Sequence, residues 1–192
     1  MTRTPAAAAP RDPFVAAWIA TAVDIPLYSV IATVLAYAGA QVWEAGAGGA
    51  AGLPRAIDDI EAAVLVAHML IIAAGIGLVA HTIGRWVHVR TRELSRRRAV
   101  ASFATMGGLL GLVPAGAVLV ATGEPDAALF VAIAIVAPCA LVAGLTRLVL
   151  PRVAASEKAV TGFAIVAVIL VLAAFTVLAV LMVTMPGGGA LD

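Results

Sequence analysis

Five long apolar segments dominate this sequence of 192 residues, and they constrain its fold more than any other feature. They cover approximately residues 14–40, 62–83, 99–122, 127–146 and 159–185. At about 1.5 Å per residue, a helix of such a length crosses a hydrocarbon layer about 30 Å thick. Only 12% of the residues are charged, whereas soluble domains carry about 25%. The sequence therefore predicts an all-α integral membrane protein with five transmembrane helices.

A basic run between the second and third segments predicts how these helices are oriented. Its arginines are Arg85, Arg90, Arg92, Arg96, Arg97 and Arg98. Arg and Lys near membrane-spanning helices stay on the cytoplasmic side. If the N-terminus is inside, eleven of the twelve Lys and Arg residues fall on inner segments, and only Arg55 lies outside. We therefore expect a cytoplasmic N-terminus and an outer C-terminus. Abundant Ala and Val, with Arg preferred to Lys, favour a bacterial plasma membrane.

The two ends of the chain are predicted to be tails around one transmembrane domain, residues 14–185. Residues 1–13 are rich in Pro and Ala, which is typical of a disordered cytoplasmic tail, and residues 186–192 form a second, short tail. A cleaved signal peptide is the alternative for the first segment, since Ala36-Tyr37-Ala38 resembles a cleavage site. The length of this segment and the presence of Asp24 and Pro26 argue against cleavage, because signal peptides have apolar cores of about 7 to 15 residues.

Two pairs of short segments indicate an internal repeat. Residues 61–67 resemble residues 126–132, and residues 98–104 resemble residues 158–164. Each pair marks the same end of a predicted helix. We interpret the pattern as a duplicated two-helix hairpin that forms a four-helix bundle, joined by the N-terminal helix. A chance match between Ala- and Val-rich helices stays open as the alternative.

Small residues at spacings of about one helical turn predict where the helices approach one another most closely. They occur on the second, third and fourth segments as Ala73, Gly77, Ala80, Gly84, Gly107, Gly111, Ala115, Ala140 and Gly144. We expect these three helices to pack most tightly, within one chain. A homo-oligomer interface stays open as the alternative.

Asp24 is the first candidate site residue because it lies in the middle of an apolar segment. We expect it near the bilayer midplane, where a carboxylate costs about 2.5 to 3.5 kcal/mol and therefore faces a protein interior or a cavity. Helical spacing puts Tyr28 on the same face. Both are candidates for ligand binding or proton relay. The alternative is a structural role, in which a protonated Asp24 hydrogen-bonds to a backbone carbonyl or to Tyr28.

The three histidines are candidates for haem ligands or for interhelical contacts. His68 and His81 point in different directions from one helix, and His88 lies in the basic run, so no two histidines meet at one depth. We therefore predict no cofactor and no metal, while haem or quinone binding together with another chain stays open. His68 is a third candidate for binding or proton relay, although an interhelical hydrogen bond is favoured. His81 is expected to reach the lipid headgroups.

No motif for catalysis is visible. The sequence contains no HExxH, GxSxG or Walker motif, and the thiol of its single cysteine, Cys139, is expected to be inert. Trp86 and the arginines of the basic run are predicted to contact headgroups, with anionic cytoplasmic lipids and not nucleic acid as partners. The favoured function is a non-enzymatic membrane subunit or accessory protein that packs with itself or with a partner. A small-solute or proton-coupled carrier or channel using Asp24, and a haem- or quinone-binding redox subunit, are the alternatives.

Overall fold

The computed structural model describes residues 12–47, 53–91 and 93–184, with side chains described for residues 12–43, 59–91 and 93–184. Within these ranges every regular element is helical. Five helices are long and apolar enough to cross a membrane, which confirms the prediction of five long apolar helices. The expectations for residues 1–11, for the tail at 186–192 and for Arg92 lie outside the described residues.

The helices extend beyond the apolar segments that predicted them. They are α1 (Pro13–Ala47), α2 (residues 53–90), α3 (Arg96–Thr122), α4 (Pro125–Ala154) and α5 (Glu157–Thr184). Most of the described basic run is therefore helical, because arginine is a good helix former and continues the backbone hydrogen bonds of its neighbours. The end of α4 shows the same extension, since this helix runs eight residues beyond its predicted end at residue 146.

Two of the helices contain π-helical turns. In α2 these turns are Ile71–Gly75 and Ala80–Gly84, and in α4 the turn is Ala132–Val136. The turn in α4 precedes Pro138, which has no N–H to donate to the carbonyl of Ala134. A π turn changes which residues face a neighbouring helix, and such turns are frequent at functional sites.

The closest helix contact joins α3 to α4. A Cβ atom added at Gly107 would lie 2.3 Å from the Cys139 carbonyl oxygen, and one at Gly111 would lie 3.0 Å from the Cys139 Cβ. From the other side, a Cβ at Gly144 would lie 3.4 Å from the Cβ of Ala104. These distances confirm that the small residues of the third and fourth segments pack within the chain.

The prediction that the glycines of α2 make an equally close contact is wrong. A Cβ added at Gly77 would meet nothing within 4 Å, and one at Gly84 would meet only the backbone of Val79 in its own helix. Each of them follows an alanine by four residues, Ala73 or Ala80, but this spacing alone does not bring a partner helix to them. The face of α2 that carries Gly75 and Gly84 instead lines a cleft, described below.

The N-terminal helix α1 contacts α2, α4 and α5. Val23 and Tyr28 are among the least exposed side chains of the described residues, at 0% and 1%. Ile25 and Tyr28 pack in one apolar cluster with Val142 of α4 and Ala174 of α5. This helix therefore supplies much of the apolar core, and its polar residues become part of the interior.

Candidate functional site

A cleft of about 930 Å³ runs between α2 and α3, and residues of α1 and α4 form its floor. It extends from Asp59 and Thr122 at one end to Arg85 and Arg147 at the other. Most of its lining residues are Ala, Gly, Val, Leu and Ile. A volume of this size and a mainly apolar wall with a few polar groups are typical of small-molecule sites.

Asp24 lies on the floor of this cleft and is held there by α4. Its Oδ1 atom accepts a hydrogen bond from the Thr146 hydroxyl, which links α1 to α4. Neither Tyr28 nor a backbone carbonyl is the partner, so the structural role predicted as the alternative has a different geometry. Asp24 is only half-buried although its helix contacts three others, because its open side faces the cleft. Thr146 therefore fixes the carboxyl group while leaving part of it accessible from the cleft.

Tyr28 lies one helical turn beyond Asp24 and also lines the cleft. Its ring meets the ring of His68 edge to face, with the centroids 5.8 Å apart. Its hydroxyl group lies beside the Cys139 thiol, but it has no partner with hydrogen-bond geometry among the described residues. The hydroxyl oxygen is itself buried next to this thiol, so Tyr28 offers no accessible polar atom to the cleft.

His68 is bonded to the protein and does not line the cleft. Its Nε2 atom lies 2.9 Å from the carbonyl oxygen of Ala134 in α4. Pro138 leaves that carbonyl without its usual helical donor, and the imidazole supplies one. This contact is the interhelical hydrogen bond that the sequence favoured for His68. The structure therefore brings Asp24 and Tyr28 together in the cleft and places His68 behind the ring of Tyr28.

His81, which is predicted to reach the lipid headgroups, packs its ring onto the beginning of α1. Its Nδ1 atom lies 3.0 Å from the Gly77 carbonyl oxygen. Its ring centroid lies 4.6 Å from that of Trp18 and 5.6 Å from that of Phe14. These ring contacts fix α2 against the beginning of α1.

The side chains predicted to contact headgroups are exposed wherever they are described. These residues are Arg85, Trp86, Arg90, Arg96, Arg97 and Arg98. The guanidinium carbon of Arg90 lies 5.0 Å from the centre of the Trp86 ring, and that of Arg85 lies 5.9 Å from the centre of the Phe14 ring. Arg85 also lines one end of the cleft, so this end is cationic.

Sequence reasoning missed two residues of the site, Thr146 and Arg147. The guanidinium carbon of Arg147 lies 5.8 Å from the centre of the Phe103 ring, and its Nε atom is buried without a hydrogen-bond partner among the described residues. Both residues were assigned to the boundary of the fourth segment, but α4 continues to Ala154. A Thr followed by an Arg, on a helix that continues for two more turns, is the signal that would have placed them in the interior.

The described residues hold no group of three or more His, Cys, Asp or Glu side chains that could bind a metal ion. No protein family, curated protein or solved structure matches this chain in sequence or fold comparisons. What the cleft does must therefore be inferred from its own chemistry.

Proposed function

We propose that this protein is a multi-pass membrane protein that binds a small amphiphilic solute in the α2/α3 cleft and carries it across or within the membrane. One observation supports the proposal above all: the apolar walls of an open cleft converge on Asp24, whose second carboxyl oxygen makes no hydrogen bond within the described residues. A carboxyl group within a membrane is expected to face a cavity and to serve a function. The cleft would give Asp24 such a surrounding.

The charge pattern supports the membrane placement in this proposal. The described arginines of the basic run lie at the same end of the helices as Trp18 and Trp86, and tryptophan is enriched at membrane interfaces. On this placement Asp24 lies six residues, or about 9 Å, farther into the membrane than Trp18. The plasma membrane of a bacterium and contact with anionic inner-leaflet lipids remain part of the proposal.

Reporter fusions test this orientation. A reporter that is active only outside the cytoplasm should be active when it is fused after Asp192 and inactive when it is inserted next to Glu93, between α2 and α3. A cytoplasmic reporter should give the opposite pattern. The same compartment for both fusion sites would contradict the five-span placement and, with it, the position of Asp24.

The duplicated hairpin is proposed on two features. The first helix of each candidate copy, α2 and α4, contains a π turn in its middle part. The second helices, α3 and α5, follow after short connections. We propose a four-helix bundle of these two hairpins joined by α1, which packs between them because it contacts α2 of the first hairpin and α4 and α5 of the second.

The carrier function requires a cleft that aqueous solutes can enter, and thiol accessibility tests this requirement. In a Cys139→Ala background, Ile76→Cys introduces a thiol on the cleft wall, and the matched control Leu78→Cys introduces one at a side chain that is 67% exposed but does not line the cleft. A charged, membrane-impermeant methanethiosulfonate should modify Ile76→Cys at least about tenfold faster than Leu78→Cys. The reagent reacts with the thiolate, and a thiol that faces lipid hardly ionises. Equal rates, or two unreactive thiols, would mean that the cleft does not admit aqueous solutes.

The membrane-subunit and redox-subunit functions remain predictions. The exposed apolar side chains of α5, among them Val168, Leu172 and Phe175, fit lipid as well as a partner helix. Co-purification from native membranes tests the first function, and absorbance near the Soret band tests haem binding.

A further inference from the structure

The cleft contains two groups of opposite charge that do not pair with each other. Asp24 and Arg147 both line it, and no ion pair joins them. Their backbone positions are neighbours, because Asp24 is hydrogen-bonded to Thr146, the residue that precedes Arg147 in α4. An acid and a cation that share a mainly apolar cleft are ordinarily paired.

Each of the two groups has binding capacity that the described residues leave unused. Asp24 receives one hydrogen bond, on Oδ1, and its second oxygen receives none. Arg147 packs on the ring of Phe103, and none of its guanidinium N–H groups has an acceptor among the described residues. Leaving a partly buried charge without a partner is unfavourable, so a ligand that supplies both missing partners would be strongly preferred.

We propose that the cleft binds a zwitterionic amphiphile of the α-amino acid type, with its ammonium group on Asp24, its carboxylate on Arg147 and its apolar chain between α2 and α3. The inference rests on the proposed carrier function and names the class of its solute. Ion pairs with both groups are charge-assisted and directional, since the guanidinium group presents a fork of donors to a carboxylate. The chain would extend along Ile71 and Ile76 of the cleft wall.

The neighbouring backbone positions of the two charged residues favour an amino acid over a zwitterionic phospholipid. In an α-amino acid, the ammonium and carboxylate groups branch from one carbon at the end of the apolar chain. In a phospholipid, the phosphate lies between the chains and the ammonium group, so the two charges follow each other along the molecule. Asp24 of α1, which is bonded to Thr146, and Arg147, the next residue of α4, would each bind one branch.

Three probes with chains of eight carbons separate the contributions of the two charges. They are 2-aminooctanoate, octylamine and octanoate, each measured for binding to the full-length protein in nanodiscs of phosphatidylcholine. We expect 2-aminooctanoate to bind at least about tenfold more tightly than either of the other two. This ranking is measured on the unaltered chain and does not depend on the folding of any variant.

Two variants assign the charges to their partners. Asp24→Asn should abolish the advantage of 2-aminooctanoate over octanoate, and Arg147→Gln should abolish its advantage over octylamine. The controls Asp126→Asn and Arg152→Gln remove an exposed charge of the same type away from the cleft, and they should leave all three affinities unchanged. Retained binding of octanoate by Asp24→Asn, and of octylamine by Arg147→Gln, also shows that these variants are folded.

The contradicting results differ for the two proposals. The zwitterion proposal is wrong if octanoate or octylamine binds as tightly as 2-aminooctanoate. It is also wrong if no probe binds while Ile76→Cys is still modified faster than Leu78→Cys. In the second case the water-accessible cleft still stands. A second set of nanodiscs contains increasing fractions of phosphatidylethanolamine. If the protein binds this lipid tightly and does not bind the added amino acid, the inference is overturned in favour of a lipid. If Ile76→Cys and Leu78→Cys react alike, the carrier function itself fails.

Discussion

The α3/α4 contact and the α2/α3 cleft use the same small residue types for opposite results. Gly107 and Gly111 let α3 approach α4 until backbone and side-chain atoms meet, whereas the atoms nearest to a Cβ added at Gly75 or Gly84 belong to α2 itself, and both glycines line the cleft. Small residues permit close approach in a membrane, but they do not enforce it. Whether a glycine becomes a contact or a cavity wall depends on where the rest of its helix is held.

The position of α2 is set by contacts with α1 and α4. The rings of His68 and His81 pack against Tyr28 and Trp18 of α1, and His68 also bonds to α4. Both ring contacts involve aromatic side chains of α1, the helix that supplies part of the cleft floor. We infer that α1 holds α2 apart from α3 over the inner part of the cleft. The cleft therefore results from the insertion of an aromatic helix, and the glycines of α2 only widen it.

The largest effect is expected for Gly107→Ala in the α3/α4 contact. The added Cβ would lie 2.3 Å from a backbone oxygen, a distance that forces the two helices apart. We expect a loss of about 3 kcal/mol in the free energy of unfolding, measured by titration with dodecyl sulfate in mixed micelles. Gly116→Ala is the control on the same helix, because a Cβ there meets nothing within 4 Å. Equal stability of the two variants would contradict the close contact.

A second, smaller effect should separate the packed side of α3 from its cleft side. Ala115→Phe places a large ring at a side chain that is 5% exposed and packed in the core, and should lower the free energy of unfolding by about 2 kcal/mol. Ala117→Phe places the same ring at an exposed position on the cleft wall and should change stability by less than about 0.5 kcal/mol. It should instead narrow the cleft near the end marked by Asp59 and Thr122, and so slow the modification of Ile76→Cys by reagent that enters there. A large loss of stability in Ala117→Phe would show that the cleft is closed.

The number and approximate limits of the helices could be predicted because hydrophobicity and length are local properties of the sequence. The inward-facing residues of α1 could be predicted as well, since Asp24 and Tyr28 follow helical spacing and both reach the interior. The cleft could not be predicted. It depends on three-dimensional contacts such as the one between His68 and Ala134, and on π turns that change the facing residues of α2. Thr146 was missed because a lone threonine at the end of an apolar segment looks like a boundary residue.

The link between α2 and α4 gives the third prediction. His68→Ala removes the donor to the Ala134 carbonyl and should cost about 1.5 kcal/mol, because the acceptor stays buried and unpaired. Pro138→Ala restores an N–H that can bond to that carbonyl within the helix. In the Pro138→Ala background we therefore expect His68→Ala to cost at least about 0.5 kcal/mol less. An unchanged cost in this double-mutant cycle would mean that His68 contributes by packing on Tyr28 alone.

The smallest effect concerns the floor of the cleft, where the Thr146 hydroxyl donates to Asp24. Side-chain hydrogen bonds between membrane helices contribute about 0.6 kcal/mol on average, so Thr146→Val should lower stability by about that amount, and Thr146→Ser should retain it. Thr176→Val is the matched control, since that exposed hydroxyl bonds only to the Leu172 carbonyl of its own helix. If both valine variants lose equal stability, the bond between α1 and α4 adds nothing to the fold. If Thr146→Val, and not Thr176→Val, also changes the affinity for 2-aminooctanoate, the same bond positions Asp24 for the solute. One hydroxyl group would then serve both the packing of α1 on α4 and the binding site in the cleft.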